Sequence, residues 1–271
     1  MTVKESDKFA TSDVMEGMIS IRAVLSAMES GENDRRIERV VYDRARARAK
    51  AKELSYLRAM SYLYDFPVEE WPTEEIKKNA IGSTHGGILA FCTPRTLPVF
   101  SEESIPENGF FVMLEGIEDP YNFGYCLRSL WAAGVSGVIL ERRNWTGASG
   151  VVARASAGAS ERCPLFISDD FASTAASFRA HGYTVAAADK NPRSKSVYDA
   201  DLRRPLLLIV GGERRGSTAP VLHTADVIVE LSYGRDFREA LSAASAATVL
   251  AFEVFRQNRE NDHGPKTGKD Q

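Results

Sequence analysis

The chain has 271 residues, 44% hydrophobic and 26% charged, with a formal net charge of −3, ordinary values for a globular protein large enough for two domains or one generous α/β domain. The near-neutral balance excludes a protein that binds nucleic acid over its whole surface, so any basic surface should be local. No run approaches eighteen apolar residues, the opening Met1-Thr2-Val3-Lys4-Glu5-Ser6-Asp7 is too polar for a signal peptide, and Cys92, Cys126 and Cys163 form no CxxC pair, which together predict a soluble cytoplasmic protein without membrane association, metal site or disulfide framework. In chain order, residues 1–12 read as a disordered polar lead. Residues 13–95 read as a small α/β domain, with a helix around Ser20–Ser30, a short strand near Ile37–Tyr42, a long helix across Arg44–Tyr64 and a closing apolar segment, Gly87-Ile88-Leu89-Ala90-Phe91. Residues 96–108, with prolines and acids but no periodicity, read as a linker. From Gly109 onward apolar runs predict strands near 110–116, 136–140, 164–167, 183–188, 205–211 and 226–231, with helices between them and a long final helix from Phe237 to Asn258. Such alternation predicts a mostly parallel sheet with helices on both faces, in a domain spanning 109–260. Residues 261–271 read as a disordered tail, and there is no internal repeat.

Four features carry possible chemistry. Between Arg35 and Arg58 stand nine basic residues against three acidic ones, and Arg44, Arg48 and Lys52 fall at i, i+4 and i+8 of the predicted helix. One basic helical face suits phosphate contact, or is simply a solvated face. The segment Asp119-Pro120-Tyr121-Asn122-Phe123-Gly124-Tyr125-Cys126-Leu127-Arg128 shortly follows the apolar run Phe110-Phe111-Val112-Met113-Leu114. It reads as a strand-to-helix turn at the carboxyl edge of a parallel sheet, where α/β proteins place ligands, or as a capped βα loop with a surface Arg. A continuously apolar strand, Leu206-Leu207-Leu208-Ile209-Val210, ends in Gly211-Gly212-Glu213-Arg214-Arg215-Gly216. That turn lacks the lysine of a P-loop and is not GxGxxG, so it fits a ligand held by main-chain groups, or a plain tight turn. Small residues dominate Ala240-Leu241-Ser242-Ala243-Ala244-Ser245-Ala246-Ala247, which allows close approach of backbone, ligand or another helix.

Taken in this order, the clusters resemble the SpoU/TrmH branch of the SPOUT RNA methyltransferases. That family's first motif, Asp-Pro-x-Asn-x-Gly-x-x-x-Arg, matches Asp119 to Arg128, and its Gly-x-Glu-x-x-Gly turn matches Gly211 to Gly216. Arg154-Ala155-Ser156-Ala157-Gly158-Ala159 is also of the family type, and Asp226 leads into the last strand at the expected distance. Met15-Glu16-Gly17 through Leu25, and Thr84-His85-Gly86-Gly87-Ile88, resemble the opening and closing signatures of the kink-turn-binding domain that many rRNA members carry. The third motif departs from the family. Leu231-Ser232 replaces Ile-Pro, and Ala240-Leu241-Ser242-Ala243-Ala244 stands where Ser-Leu-Asn-x-Ser is expected.

The resemblance implies a small N-terminal α/β RNA-binding domain, a C-terminal α/β domain threaded as a trefoil knot, and a homodimer formed through the methyltransferase domain. It implies methyl transfer from S-adenosyl-L-methionine to a ribose 2′-hydroxyl, in rRNA rather than tRNA because of the appended domain, with a tRNA 2′-O-methyltransferase of the same family as the close alternative. Asn122 and Arg128 become the catalytic pair. Gly211, Leu231 and Leu241 become cofactor contacts, Arg154, Arg44 and Arg48 RNA contacts, and Glu213 and Ser242 supporting residues. The altered third motif leaves a knotted RNA-binding protein with changed or lost turnover as the alternative. A dehydrogenase on an ordinary dinucleotide fold lacks both the glycine fingerprint and the acidic ribose ligand.

Overall fold

A computed structural model describes residues 13–83, 85–142, 148–212, 216–237 and 239–262. The expectations for residues 1–12 and 263–271 lie outside the described residues. The chain is mixed α/β and splits into two compact units. One takes in the chain to Leu97 with Glu118–Arg128 and Arg142–Pro164, and the other holds Pro98–Ile117, Ser129–Glu141 and everything from Leu165 onward.

In chain order, β1 (Val14–Glu16), α1 (Gly17–Ser30), β2 (Ile37–Asp43), α2 (Ala51–Tyr64), β3 (Val68–Trp71), α3 (Thr73–Asn79) and β4 (Ile88–Cys92) build a four-stranded sheet ordered β1-β4-β2-β3. Side chains alternate across a strand. Ile88, Ala90 and Cys92 therefore join Val40 and Tyr42 in a core with Ile21, Val24 and Leu25 of α1 and Leu54 and Leu57 of α2. Leu89 and Val41 turn the other way and pack on Ile76 of α3.

The long helix expected across Arg44–Tyr64 is corrected. The nearly buried Asp43 carboxylate accepts from the Ala45 N–H at 2.9 Å and from the Thr73 hydroxyl at 2.7 Å. This caps a single 3-10 turn, Arg44–Arg46, and α2 starts only at Ala51. Arg44 sits in that turn and Arg48 in the irregular stretch after it, so the stripe with Lys52 does not form. Arg44 instead donates to Glu70 at 2.7 Å on the surface.

The remaining elements are β5 (Phe110–Leu114), α4 (Pro120–Ala132), β6 (Gly137–Leu140), α5 (Ser149–Ala155), α6 (Ala159–Arg162), β7 (Leu165–Ile167), α7 (Phe171–Ala180), β8 (Thr184–Ala188), β9 (Lys195–Ser196), β10 (Leu206–Val210), α8 (Ala219–Thr224), β11 (Val227–Glu230) and α9 (Ala243–Asp262). The strands form one sheet, β7-β6-β5-β10-β8-β11-β9, in which every pairing is parallel. The residues of β5, β6 and β10 are buried throughout, as strands covered on both faces must be. On one side of the sheet Tyr183 meets Phe111 and Phe178 edge to face, and Phe111 and Phe178 pack tilted, with ring centroids 5.0–6.2 Å apart. Residues 98–106, expected as linker, lie along this sheet's edge. Phe100 donates its N–H to Ile167 at 2.7 Å and stacks on Phe178, and the Tyr183 hydroxyl donates to the Pro106 carbonyl at 2.9 Å. The final helix begins at Ala243, not Phe237, because Ser242 caps it: its hydroxyl accepts from the Ser245 N–H at 3.1 Å.

Candidate cofactor pocket and motif helix

Within the first unit, the sequence Asp119-Pro120 starts α4 in the way capping chemistry predicts. The Asp119 carboxylate accepts from the Asn122 N–H at 2.9 Å and its carbonyl from the Phe123 N–H at 3.0 Å, while Pro120, which has no N–H to satisfy, takes the first helical position. Asn122 is half-buried near the start of α4, and Arg128 is exposed farther along it. Gly124 is glycine because α5 passes against it. A methyl group there would stand 2.5 Å from Ala155 Cβ and 3.0 Å from the Val152 carbonyl oxygen. Ala155 and the Ser156 backbone are thus the other half of this close contact, whereas Gly158 packs against Ala23 of α1.

Arg154 is not free on the surface. It donates to Glu16 at 2.8 Å and to the Tyr121 hydroxyl at 3.0 Å, with its guanidinium over the Tyr121 ring. The Glu16 carboxylate is 1% exposed and also accepts from the N–H groups of Ile81 and Gly82. This ties β1, the 81–82 turn, α5 and the motif helix into one charge-assisted network. Sequence reasoning missed Glu16 and Tyr121 as Arg154 partners. The only signal was an acid at the end of an apolar strand, and nothing local names what it pairs with.

A second buried network lies in the same unit. Arg35, 2% exposed, donates to Glu161 at 2.9 Å, Asp13 at 2.7 Å and the Thr93 carbonyl at 2.8 Å. Burial alone would lower its pKa, but the two carboxylates hold it above its ordinary value. Cys92 and Cys163 are free, and burial pushes both thiols up to about 12.

In the second unit, the carboxyl ends of β8, β10 and β11 and the start of α9 enclose a pocket of about 250 Å³, at the small end of ligand sites. Gly211, Leu231 and Leu241 all line it. Val210, Val229 and Leu250 supply apolar wall, and Asp189, Lys190, Glu230 and Tyr233 supply polar atoms. Gly211 must be glycine for its turn to close, since a Cβ there would meet Gly216 C at 2.3 Å and Ser217 N at 2.4 Å. Gly212 is equally constrained by the Gly116 carbonyl oxygen at 2.4 Å. The polar lining is pre-arranged: Asn191 donates to Asp189 at 2.7 Å, and the Ser194 hydroxyl donates to Glu230 at 3.0 Å. Nearby, Glu115 is buried and accepts from the Thr218 N–H at 3.1 Å. Glu213 lies outside the described residues. A concave site walled by backbone and short side chains, with an apolar end and a few carboxylates, fits a nucleoside-bearing cofactor. Among the described residues no helix is long and apolar enough to cross a membrane, and no group of three or more His, Cys, Asp or Glu could hold a metal ion.

The model of the SpoU rRNA methylase family matches residues 109–252, more than half of the chain. The 23S rRNA (guanosine-2'-O-)-methyltransferase RlmB of Shewanella oneidensis is 28% identical over 190 residues, covering 68% of this chain and 76% of that protein. Among solved structures, an RNA 2'-O ribose methyltransferase shares the fold with a TM-score of 0.73 at 20% identity, over 94% of this chain and 95% of that one. An AdoMet-bound rRNA methyltransferase from Sinorhizobium meliloti does so with a TM-score of 0.70 at 20% identity, over 93% of each chain.

Proposed function

The chain belongs to the SpoU rRNA methylase family, and from that premise we propose that it transfers a methyl group from S-adenosylmethionine to a ribose 2′-hydroxyl of rRNA. The observation that carries this reading is the pocket at the ends of β10 and β11, whose lining includes Gly211, Leu231 and Leu241. Its solved neighbour with AdoMet bound and its relative named for guanosine 2'-O-methylation in 23S rRNA support the cofactor and the substrate class. When bound, S-adenosylmethionine supplies a methyl group already activated on a sulfonium. What remains for the protein is position and charge rather than covalent help.

Gly211 holds the cofactor through main-chain atoms, with Leu231 and Leu241 against it. A guanidinium is a poor general base, which leaves Arg128 an electrostatic role. Its exposed guanidinium holds the target phosphate and stabilises negative charge growing on the ribose oxygen, and the proton leaves to water. Asn122 orients Arg128 or the ribose. Arg154, engaged by Glu16 and Tyr121, braces the start of α4 rather than contacting RNA. The exposed Arg48, and Arg44 with its Nε on Glu70, remain the RNA phosphate contacts. The C-terminal part of the α/β domain is threaded as the family's trefoil knot, and two chains associate through their methyltransferase domains.

The test is transfer of labelled methyl to unmodified total RNA, fractionated into rRNA and tRNA, with Arg128→Ala alongside. Label in rRNA as a 2′-O-methyl nucleoside, abolished by the variant, is the expected result. Label in tRNA alone overturns the substrate. Cofactor binding without transfer to either RNA favours the knotted RNA-binding alternative, to which the altered third motif points. Full transfer by Arg128→Ala removes that residue from the mechanism.

A further inference from the structure

The segment Leu231–Ser242 departs most from the family motif, and at the edge of the pocket it carries an exposed aromatic pair. Tyr233 lines the pocket, and its hydroxyl accepts from the Leu241 N–H at 3.3 Å, which closes the loop on itself and fixes the ring. Phe237 packs on Tyr233 with ring centroids 6.0 Å apart and planes tilted by 54°. The two rings are nonetheless 37% and 51% exposed, and Leu241 beside them is 36% exposed. A half-exposed phenylalanine forgoes much of the burial that normally stabilises such a ring, so a cluster of this kind beside a ligand pocket marks a surface that something else covers. In the sequence the loop holds Arg235 and Arg238 against Asp236 and Glu239, and Lys190 on the pocket wall is a further exposed cation.

We propose that Tyr233 and Phe237 form a stacking platform for an unpaired RNA base, at or beside the nucleotide whose ribose is methylated. This rests on the reading of the adjacent pocket as the cofactor site. RNA offered to a methyl donor must bring its target ribose to the pocket, and unpaired bases are held on proteins by stacking on aromatic side chains. The nearly balanced charges of the loop leave stacking, rather than phosphate contact, as the main source of affinity here. Salt dependence at this subsite is therefore shallow.

Two measurements separate this inference from the reading beneath it. In methyl transfer to unmodified rRNA, Phe237→Ala should raise KM for RNA roughly 5- to 150-fold, the range of one lost base–aromatic stack, with kcat and the Kd for S-adenosylmethionine changed less than about twofold. Phe237→Trp, which keeps a π-face, should restore KM. Independently of catalysis, a short single-stranded RNA carrying 2-aminopurine should lose fluorescence on binding the wild type and much less on binding Phe237→Ala. Unchanged KM together with unchanged quenching overturns the platform. Weakened cofactor binding in Phe237→Ala also overturns it, by making the ring a cover for the cofactor. A shift in oligomeric mass overturns it too, in favour of a contact with a second copy. Wild-type quenching with no methyl transfer would instead remove the catalytic reading and leave the platform standing.

Discussion

Replacing Gly124 with alanine tests whether the close contact between α4 and α5 sets the motif helix. In isolation the change should help, because alanine in a helix interior is favoured over glycine by about 1 kcal/mol. The structure reverses the sign. The new Cβ would stand 2.5 Å from Ala155 Cβ, 3.0 Å from the Val152 carbonyl oxygen and 3.1 Å from the Ser156 nitrogen. Carbon atoms prefer roughly 3.5–4.0 Å, so the helices must part by about 1 Å. Two of the three obstacles are backbone and cannot rotate away, which places the cost near the top of the usual overpacking range, about 3 kcal/mol. The net loss is then about 2 kcal/mol, or a drop of roughly 4–8 °C in the melting temperature of a chain this size. Ala155→Gly removes the nearest clash while costing something by itself. In urea denaturation the double variant should therefore be more stable than the sum of the single effects by about 1 kcal/mol or more. Additive effects, or a Gly124→Ala protein as stable as the wild type, would refute the idea that this contact dictates the glycine.

Gly211→Ala should abolish cofactor binding in calorimetry, because its Cβ meets backbone at 2.3 Å; retained affinity would mean the turn can open at no cost. Ser242→Ala should lower stability by about 1 kcal/mol through loss of the α9 cap, whereas Ser242→Asn should not, since asparagine caps equally well. Cys92 and Cys163, their thiols pushed up to about 12 by burial, should resist alkylation in the folded protein at pH 8 and react only on unfolding. Against the ordinary thiol value of 9.0, the folded state keeps protons that the unfolded state gives up. Their contribution is thus complete below pH 9.0 and is lost as pH rises toward 12. A melting temperature that climbs above pH 9 would contradict this.

The C-terminal sheet was legible in the sequence because buried parallel strands are continuous apolar runs. Phe110–Leu114, Leu206–Val210 and the others fall where hydrophobicity alone puts them. The two-residue β9 carries too little pattern to find. The order β5-β10-β8 depends on pairing between distant segments, for which one chain offers no local sign. The Arg44–Tyr64 helix failed for a local reason: arginine and alanine favour helix, but the Asp43 cap and its tie to Thr73 impose a short turn first. At the site, glycines were the most readable residues, since Gly124 and Gly211 announce close approach. Tyr233, Asp189 and Glu230 were unreadable, because polar or aromatic residues at strand ends are common and only the fold brings these three to one pocket.

The buried Arg35 carries one consequence for how the protein is made. The strands of its sheet are all synthesised by Cys92, yet Glu161, one of its two carboxylates, lies 126 positions after it in the chain. Until that stretch clears the ribosome, the guanidinium has Asp13 and a carbonyl but not its most enclosed partner, and Glu16 likewise waits for Arg154. The amino-terminal unit therefore cannot finish folding as it is born, contrary to the usual order in which the first domain completes ahead of the next. A chain stalled before residue 149 should expose that unit to chaperones and proteases, and a fragment cut at residue 97 should do the same.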